Sequence, residues 1–151
     1  MEIKKDKYSV KFYPSDVLNW KKENDHTFIF NTADTRLEVK LFTDKIIRFR
    51  YAPNGKFQKD FSYATVEAIQ PKPVNLSVYE DRLKFDIMTE HLVAQIQKKD
   101  LKITILDRQY NVINEDELGF HWQHYIKKGG KINYCSKKIQ DGECFFGMGD
   151  K

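Results

Sequence analysis

Apolar and polar residues alternate in short runs along this chain. In "RLEVKLF" (36–42), Leu37, Val39 and Leu41 alternate with Arg36, Glu38 and Lys40; in "IIRFRYA" (46–52), Ile47, Phe49 and Tyr51 alternate with Arg48 and Arg50. The same period returns in "RLKFDIM" (82–88) through Leu83, Phe85 and Ile87, and in "LKITIL" (101–106) through Leu101, Ile103 and Ile105. Successive side chains of a strand point to opposite sides of its sheet, so a period of two predicts strands with one buried face.

Turn signals separate these runs: "TADT" (32–35), "APNGK" (52–56), "QPKP" (70–73), "YED" (79–81) and "KKD" (98–100). Short strands joined at such intervals predict an antiparallel sandwich or barrel with little or no helix. The segment "KDFSYATVEAIQPKP" (59–73) comes nearest to a helical pattern. Its β-branched and aromatic content and its two closing prolines favour a strand followed by a connector. No repeat or linker divides the chain, so residues 1–151 are expected to form one all-β domain.

Composition narrows the function classes. The 151 residues are 40% hydrophobic and 14% aromatic, enough for a single core without staples. Twenty-six basic and 22 acidic residues leave a net charge of +4, spread along the chain, which disfavours nucleic acid as a partner. No apolar run approaches the roughly 20 residues of a membrane span, and "MEIKKDKYSV" has no apolar stretch of a signal peptide behind its lysines. A cytoplasmic location and no membrane partner are expected. Cys135 and Cys144 are expected to be reduced and mostly buried.

Candidate chemistry is sparse. "HWQH" (121–124) spaces His121 and His124 as a helix would for a shared metal, but "FHWQHYI" reads as a strand, where residues three apart face opposite sides. "NEDELG" (114–119) groups Glu115, Asp116 and Glu117 and is expected to be a solvated turn. The glycines of "GMG" (147–149) lack the third glycine and following helix of a dinucleotide site, and the Lys-Ser/Thr of a P-loop. Phe28, Phe30, Phe42, Phe49, Tyr51, Phe57, Phe61, Tyr63, Trp122 and Tyr125 could stack on sugars or bases; most are assigned to the core. Lys127, Lys128, Lys131, Lys137 and Lys138 are assigned to the solvent face of a hairpin. From the sequence, no complete catalytic set, no metal and no cofactor are expected.

The order of segments resembles the amino-terminal region of glycoside hydrolase family 31, the α-glucosidases, α-xylosidases and their relatives. The segments are "LEVKLFTDKIIRFRYAPNGKFQKDFSYA" (37–64), "LKFDIMTEHLVAQIQKKDLKITILD" (83–107), "NEDELG", and above all "GECFFGMGDK" (142–151). The family pattern at that last place is a glutamate, aromatics, Gly-aliphatic-Gly, an acid and a basic residue. Here these are Glu143, Phe145, Phe146, Gly147, Met148, Gly149, Asp150 and Lys151, with methionine where leucine is usual and aspartate where glutamate is commoner.

The resemblance implies a galactose mutarotase-like β-sandwich preceding a (β/α)₈ barrel whose two aspartates perform retaining hydrolysis. It implies that the polypeptide continues past Lys151, that this part alone is inactive, and that its partners are the barrel and a carbohydrate. It places Gly147, Gly149, Asp150 and Lys151 at the active-site rim, and Phe145, Phe146 and Met148 against the barrel. Two rivals stand beside it: a free-standing carbohydrate-binding module using Trp122 or Tyr125, and a mutarotase-type epimerase using His121 and His124.

Overall fold

The computed structural model describes residues 10–60, 72–124 and 129–144. Ten strands follow one another in it: β1 (Asn19–Asn24), β2 (Thr27–Asn31), β3 (Thr35–Leu41), β4 (Ile47–Pro53), β5 (Ser77–Glu80), β6 (Lys84–Met88), β7 (Leu92–Gln97), β8 (Ile103–Asp107), β9 (Val112–His124) and β10 (Lys131–Lys137). β1 to β4 form one antiparallel sheet in sequence order, and β5 to β10 form a second, also antiparallel meander. Helix is absent among the described residues, as the period-two pattern predicts.

The alternation works as a packing code. On β3, Leu37, Val39 and Leu41 are buried while Arg36, Glu38 and Lys40 stay partly in solvent. Their cross-strand neighbours Phe30, Phe28, Tyr51, Phe49 and Ile47 share that face. From the other sheet come Phe85 and Ile87 of β6, Ala94 and Ile96 of β7, and Ile103 of β8. Phe85 is the centre of an aromatic cluster, with ring centroids 4.4 Å from Trp20, 5.0 Å from Phe30 and 5.9 Å from Phe28. Fully burying one such side chain contributes about 1.5–3 kcal/mol.

Polar links close the two sides of the layer. Trp20 Nε1–H of β1 donates to Glu80 Oε2 of β5 at 3.1 Å, and Lys98 donates to the other oxygen of the same carboxylate. On the opposite side, Tyr51 of β4 stacks on Phe120 of β9 (4.4 Å, 7° between planes), and its hydroxyl donates to the Leu101 carbonyl at 3.0 Å. Burial first, then the negative charge of Asp116, holds the Tyr51 hydroxyl well above the usual phenol range.

Several expectations need correction. "YED" is not a turn from its first residue: Tyr79 and Glu80 pair with Asp86 and Phe85 as β5. The turn starts at Asp81, whose carboxylate accepts the Leu83 and Lys84 N–H groups at 2.7 and 2.9 Å. Leu83 therefore lies in the turn and is 74% exposed, although it continues the phase of Phe85 and Ile87. Both cysteines are free, as expected, but exposed rather than buried, because Cys135 lies on edge strand β10 and Cys144 beyond it. Of the segment 59–73, residues 61–71 lie outside the described residues, and with them Phe61 and Tyr63.

Replacing Phe85 by alanine removes the ring that both sheets contact and is expected to cost about 3–5 kcal/mol in denaturant unfolding. A Tyr51→Phe variant tests the link at the other side. The wild-type hydroxyl ionises later in the folded chain than in the unfolded chain, so its stabilising contribution is complete below the ordinary tyrosine value of about 10 and declines above it. The wild type is expected to exceed Tyr51→Phe by about 1 kcal/mol at neutral pH, and that advantage should shrink in unfolding curves recorded above pH 10.

Candidate functional site

The long strand β9 and its hairpin partner β10 hold most of the residues singled out from the sequence. Tyr134 faces His121 directly across the ladder, and Ile132 faces Gln123. Side-chain alternation then sends Phe120 and Trp122 inward and His121 and Gln123 outward.

The inward half is packed shut. Trp122 is buried at 5% exposure, with the Lys131 ammonium 5.1 Å from its ring centre and the Phe12 ring 6.2 Å away. Phe12 also exchanges two backbone hydrogen bonds with Trp122, at 2.8 and 2.9 Å. This ring is a core element rather than an open platform for a sugar.

The outward half is an aromatic stack. His121, 3% exposed, lies between Tyr13 (5.5 Å, 27°) and Tyr134 (5.1 Å, 13°), and its Nδ1 is 3.0 Å from the Gly119 carbonyl. That contact makes Nδ1 the proton-bearing nitrogen. His124 instead meets the edge of Phe12 at 4.9 Å on the Trp122 side. The two histidines lie on opposite faces, as the strand reading requires, and cannot flank one sugar carbon from there. Around the stack, Tyr13, Ile132 and Tyr134 are each about two-fifths exposed. Tyr13 and the Ile132–Tyr134 pair were missed in the sequence; the alternation in "INYC" was their only local signal, and Tyr13 had none.

"NEDELG" is not a solvated turn. It lies within β9, and Asp116 is only 4% exposed. Asp116 Oδ2 accepts the Ile103 N–H of β8 at 2.8 Å, and Oδ1 pairs with Lys137. Glu115 pairs with Lys138, and Glu117 is exposed. The acidic run survives in a strand because a ladder irregularity intervenes: Ser136 pairs with Gly119 while the next residue, Lys137, pairs with Asp116. Gly119 makes the bend at φ +66°. Lys137 and Lys138 are thus partners of the acidic run, not only a solvent face. Lys127 and Lys128 lie outside the described residues, as does Tyr125.

Elsewhere Arg36, Arg48 and Arg50 are also engaged. Arg48 reaches Glu38 and Asp60, each at 2.9 Å, and packs over Phe42, while Arg36 and Arg50 pack over Phe57. The half-buried Phe42 and Phe57 are cation supports, whereas Phe28 and Phe30 are core as expected and Phe49 packs against it. The Arg48 hydrogen bond holds the Asp60 carboxyl below its ordinary range. Beside this network, the β2–β3 turn and the Asn54–Gly55 turn border a polar hollow of about 460 Å³, lined in part by Asp34, Arg36 and Asn54. Lys131 Nζ donates to Asn54 Oδ1 at 2.7 Å, so the first residue of β10 reaches the same end.

The rim residues Gly147, Gly149, Asp150 and Lys151 and the interface residues Phe145, Phe146 and Met148 all lie outside the described residues. The described chain approaches them through Glu143, whose carboxylate accepts the Gln140 N–H at 2.9 Å.

A Gly119→Ala substitution tests the bend. The added Cβ would stand 3.1 Å from Asp116 Oδ2 and 3.1 Å from Lys102 Cγ, in a backbone conformation that alanine resists. The lysine can move; the carboxylate is held by Ile103. A loss of roughly 1–3 kcal/mol is expected in denaturant unfolding.

Comparison with known proteins agrees with this architecture. Residues 36–151 match the family described as the glycosyl hydrolase 31 N-terminal galactose mutarotase-like domain. Alpha-glucosidase 2 of Bacillus thermoamyloliquefaciens is 22% identical over 132 residues, which are 84% of this chain and 15% of that protein. Among solved structures, the GH31 dextranase of Flavobacterium johnsoniae superposes with a TM-score of 0.62 at 16% identity, over 78% of this chain and 16% of its own. The cycloalternan-forming enzyme of Listeria monocytogenes gives 0.58 at 18% identity, over 76% of this chain and 11% of its own. At such identities the superpositions speak for the fold alone, and this chain spans only a small part of each relative. With the matched family covering most of the sequence and both sheets of the sandwich in place, the chain belongs to the glycosyl hydrolase 31 N-terminal galactose mutarotase-like domain family.

Proposed function

We propose that this chain is the non-catalytic amino-terminal domain of a cytoplasmic retaining α-glycosidase, packing on a (β/α)₈ barrel and forming one wall of its sugar pocket. Family membership supports the class of enzyme. The observation that carries the packing role is the outer face of the β9–β10 hairpin, where Tyr13, Ile132 and Tyr134 stand exposed around the stacked His121. Exposed apolar side chains grouped in this way mark interaction surfaces. Residues 145–151 follow that hairpin in the chain, so Phe145, Phe146 and Met148 would extend the contact and Gly147, Gly149, Asp150 and Lys151 would reach the pocket rim. Retaining hydrolysis needs a nucleophile and an acid/base carboxylate roughly 5 Å apart. In this proposal the barrel supplies both, since Asp116 is committed to Ile103 and Lys137.

The test uses two polypeptides, the 151-residue chain and a catalytic barrel of this family as its partner in trans. The chain alone is expected to bind a hydrophobic dye and to leave an aryl α-glucoside uncleaved. Association with the barrel should weaken at least tenfold in an Ile132→Lys/Tyr134→Lys variant that unfolds at an unchanged denaturant midpoint. Cleavage by the chain alone, or undiminished association of the variant, would defeat the proposal.

A further inference from the structure

We propose that the end of the sandwich formed by the β3–β4 and β6–β7 turns is a binding site for a first-row divalent cation, held by Asp44, Glu90 and His91. The inference concerns the sandwich itself and does not depend on the proposed glycosidase role. Its starting point is a convergence that the sequence hides: Asp44 and the Glu90–His91 pair are 46 residues apart and belong to different sheets. One donor atom from each of the three side chains lies within 4.8 Å of the other two. His91 Nε2 stands 3.0 Å from Asp44 Oδ2.

Both turns are held in place by Thr89, a residue only 4% exposed. Its Oγ1 accepts the N–H groups of His91 and Leu92 at 3.2 and 2.9 Å and donates to the Asp44 carbonyl at 2.7 Å. The hydroxyl therefore shapes the turn that carries two of the donors and ties it to the residue that carries the third. Asp44 is further fixed within its own turn, where Lys45 N–H bonds Thr43 Oγ1 at 3.1 Å and Phe42 N–H bonds the Ile46 carbonyl at 2.9 Å. Preorganisation of this kind lowers the entropy lost on closing around an ion.

The chemistry of the set selects the ligand. Donors at about 2.1 Å from a common ion stand roughly 3–4 Å apart. Asp44 and His91 already meet that spacing, and rotation of the exposed Glu90 side chain closes the rest. Two carboxylates and one imidazole suit zinc or manganese, whereas magnesium and calcium prefer oxygen alone. A hollow of about 370 Å³ adjoins the cluster, lined by Thr43, Asn75 and Glu90 among others, and leaves room for water to complete the coordination. Lys72 lines the same hollow. A simple Asp44–His91 ion pair is the competing explanation, and it has no use for Glu90.

The experiment uses the 151-residue chain without an affinity tag, in a Cys135→Ser/Cys144→Ser background because exposed thiols bind zinc themselves. After chelator treatment, Zn²⁺ is titrated by calorimetry and thermal unfolding is followed with and without the ion. One site per chain is expected, with the unfolding midpoint raised by several degrees at saturating zinc. His91→Ala and Glu90→Gln should each weaken binding at least tenfold without altering the metal-free midpoint, while His124→Ala leaves binding unchanged. Ca²⁺ at the same concentration should leave the midpoint where it was. Zinc binding that survives His91→Ala or Glu90→Gln, a calcium effect equal to that of zinc, or no binding at 100-fold excess would each overturn the proposal.

Discussion

Each sheet has one face that must leave water, and the aromatic cluster around Phe85 is where those faces meet. Phe85 projects from the second sheet against Trp20, Phe28 and Phe30 of the first, so neither sheet buries its apolar side without the other. The Trp20–Glu80 and Tyr51–Leu101 hydrogen bonds occupy opposite sides of this layer, where a simple apolar contact would leave polar atoms in partial desolvation. The dry layer sets the distance between the sheets, and the turns at its ends inherit their positions from it.

One strand carries this order into the candidate contact surface. β9 first pairs with β8, then runs on to pair with β10, and the irregularity at Asp116 and Gly119 lies where the pairing with β10 begins. Asp116 turns an awkward place into a junction: its carboxylate takes the Ile103 N–H of one neighbour and the Lys137 charge of the other. A buried carboxylate without both partners would be costly, so its engagement is structural. Beyond the junction, Phe120 and Trp122 return to the core and His121 emerges between two tyrosines. The face proposed to contact a barrel and the buried Asp116 junction are consecutive parts of one strand.

The two ends of the sandwich do different things. At one end, the Asn54 turn, the start of β10 at Lys131 and the polar hollow beside Asp34 gather hydrogen-bonding groups. At the other, Thr89 fastens a turn of each sheet and brings together an imidazole and two carboxylates. Short loops on a rigid sandwich can hold side chains in fixed relation because the sheets beneath them do not move independently. Both arrangements use the same inter-sheet packing, and neither draws on the core's own residues.

Local patterning alone determined much about this chain. Alternation in 36–42 and 46–52 is enough to identify strands and their buried faces, because the side-chain period of a strand is a local property; in 101–106 the strand begins only at Ile103, since Leu101 takes φ +55°, and Leu106 is buried out of phase with Ile105. The opposite orientation of His121 and His124 follows from the same rule. What alternation cannot encode is which strand lies beside which, and there tertiary structure decided. Asp116 reads as a solvated acid until Ile103 and Lys137 are placed next to it, and Leu83 reads as core until Asp81 captures its N–H. Cys135 reads as buried until β10 proves to be an edge. Asp44 and His91 have no relation at all along the chain; they became neighbours only when two sheets, each unable to remain half in water, closed on a common layer.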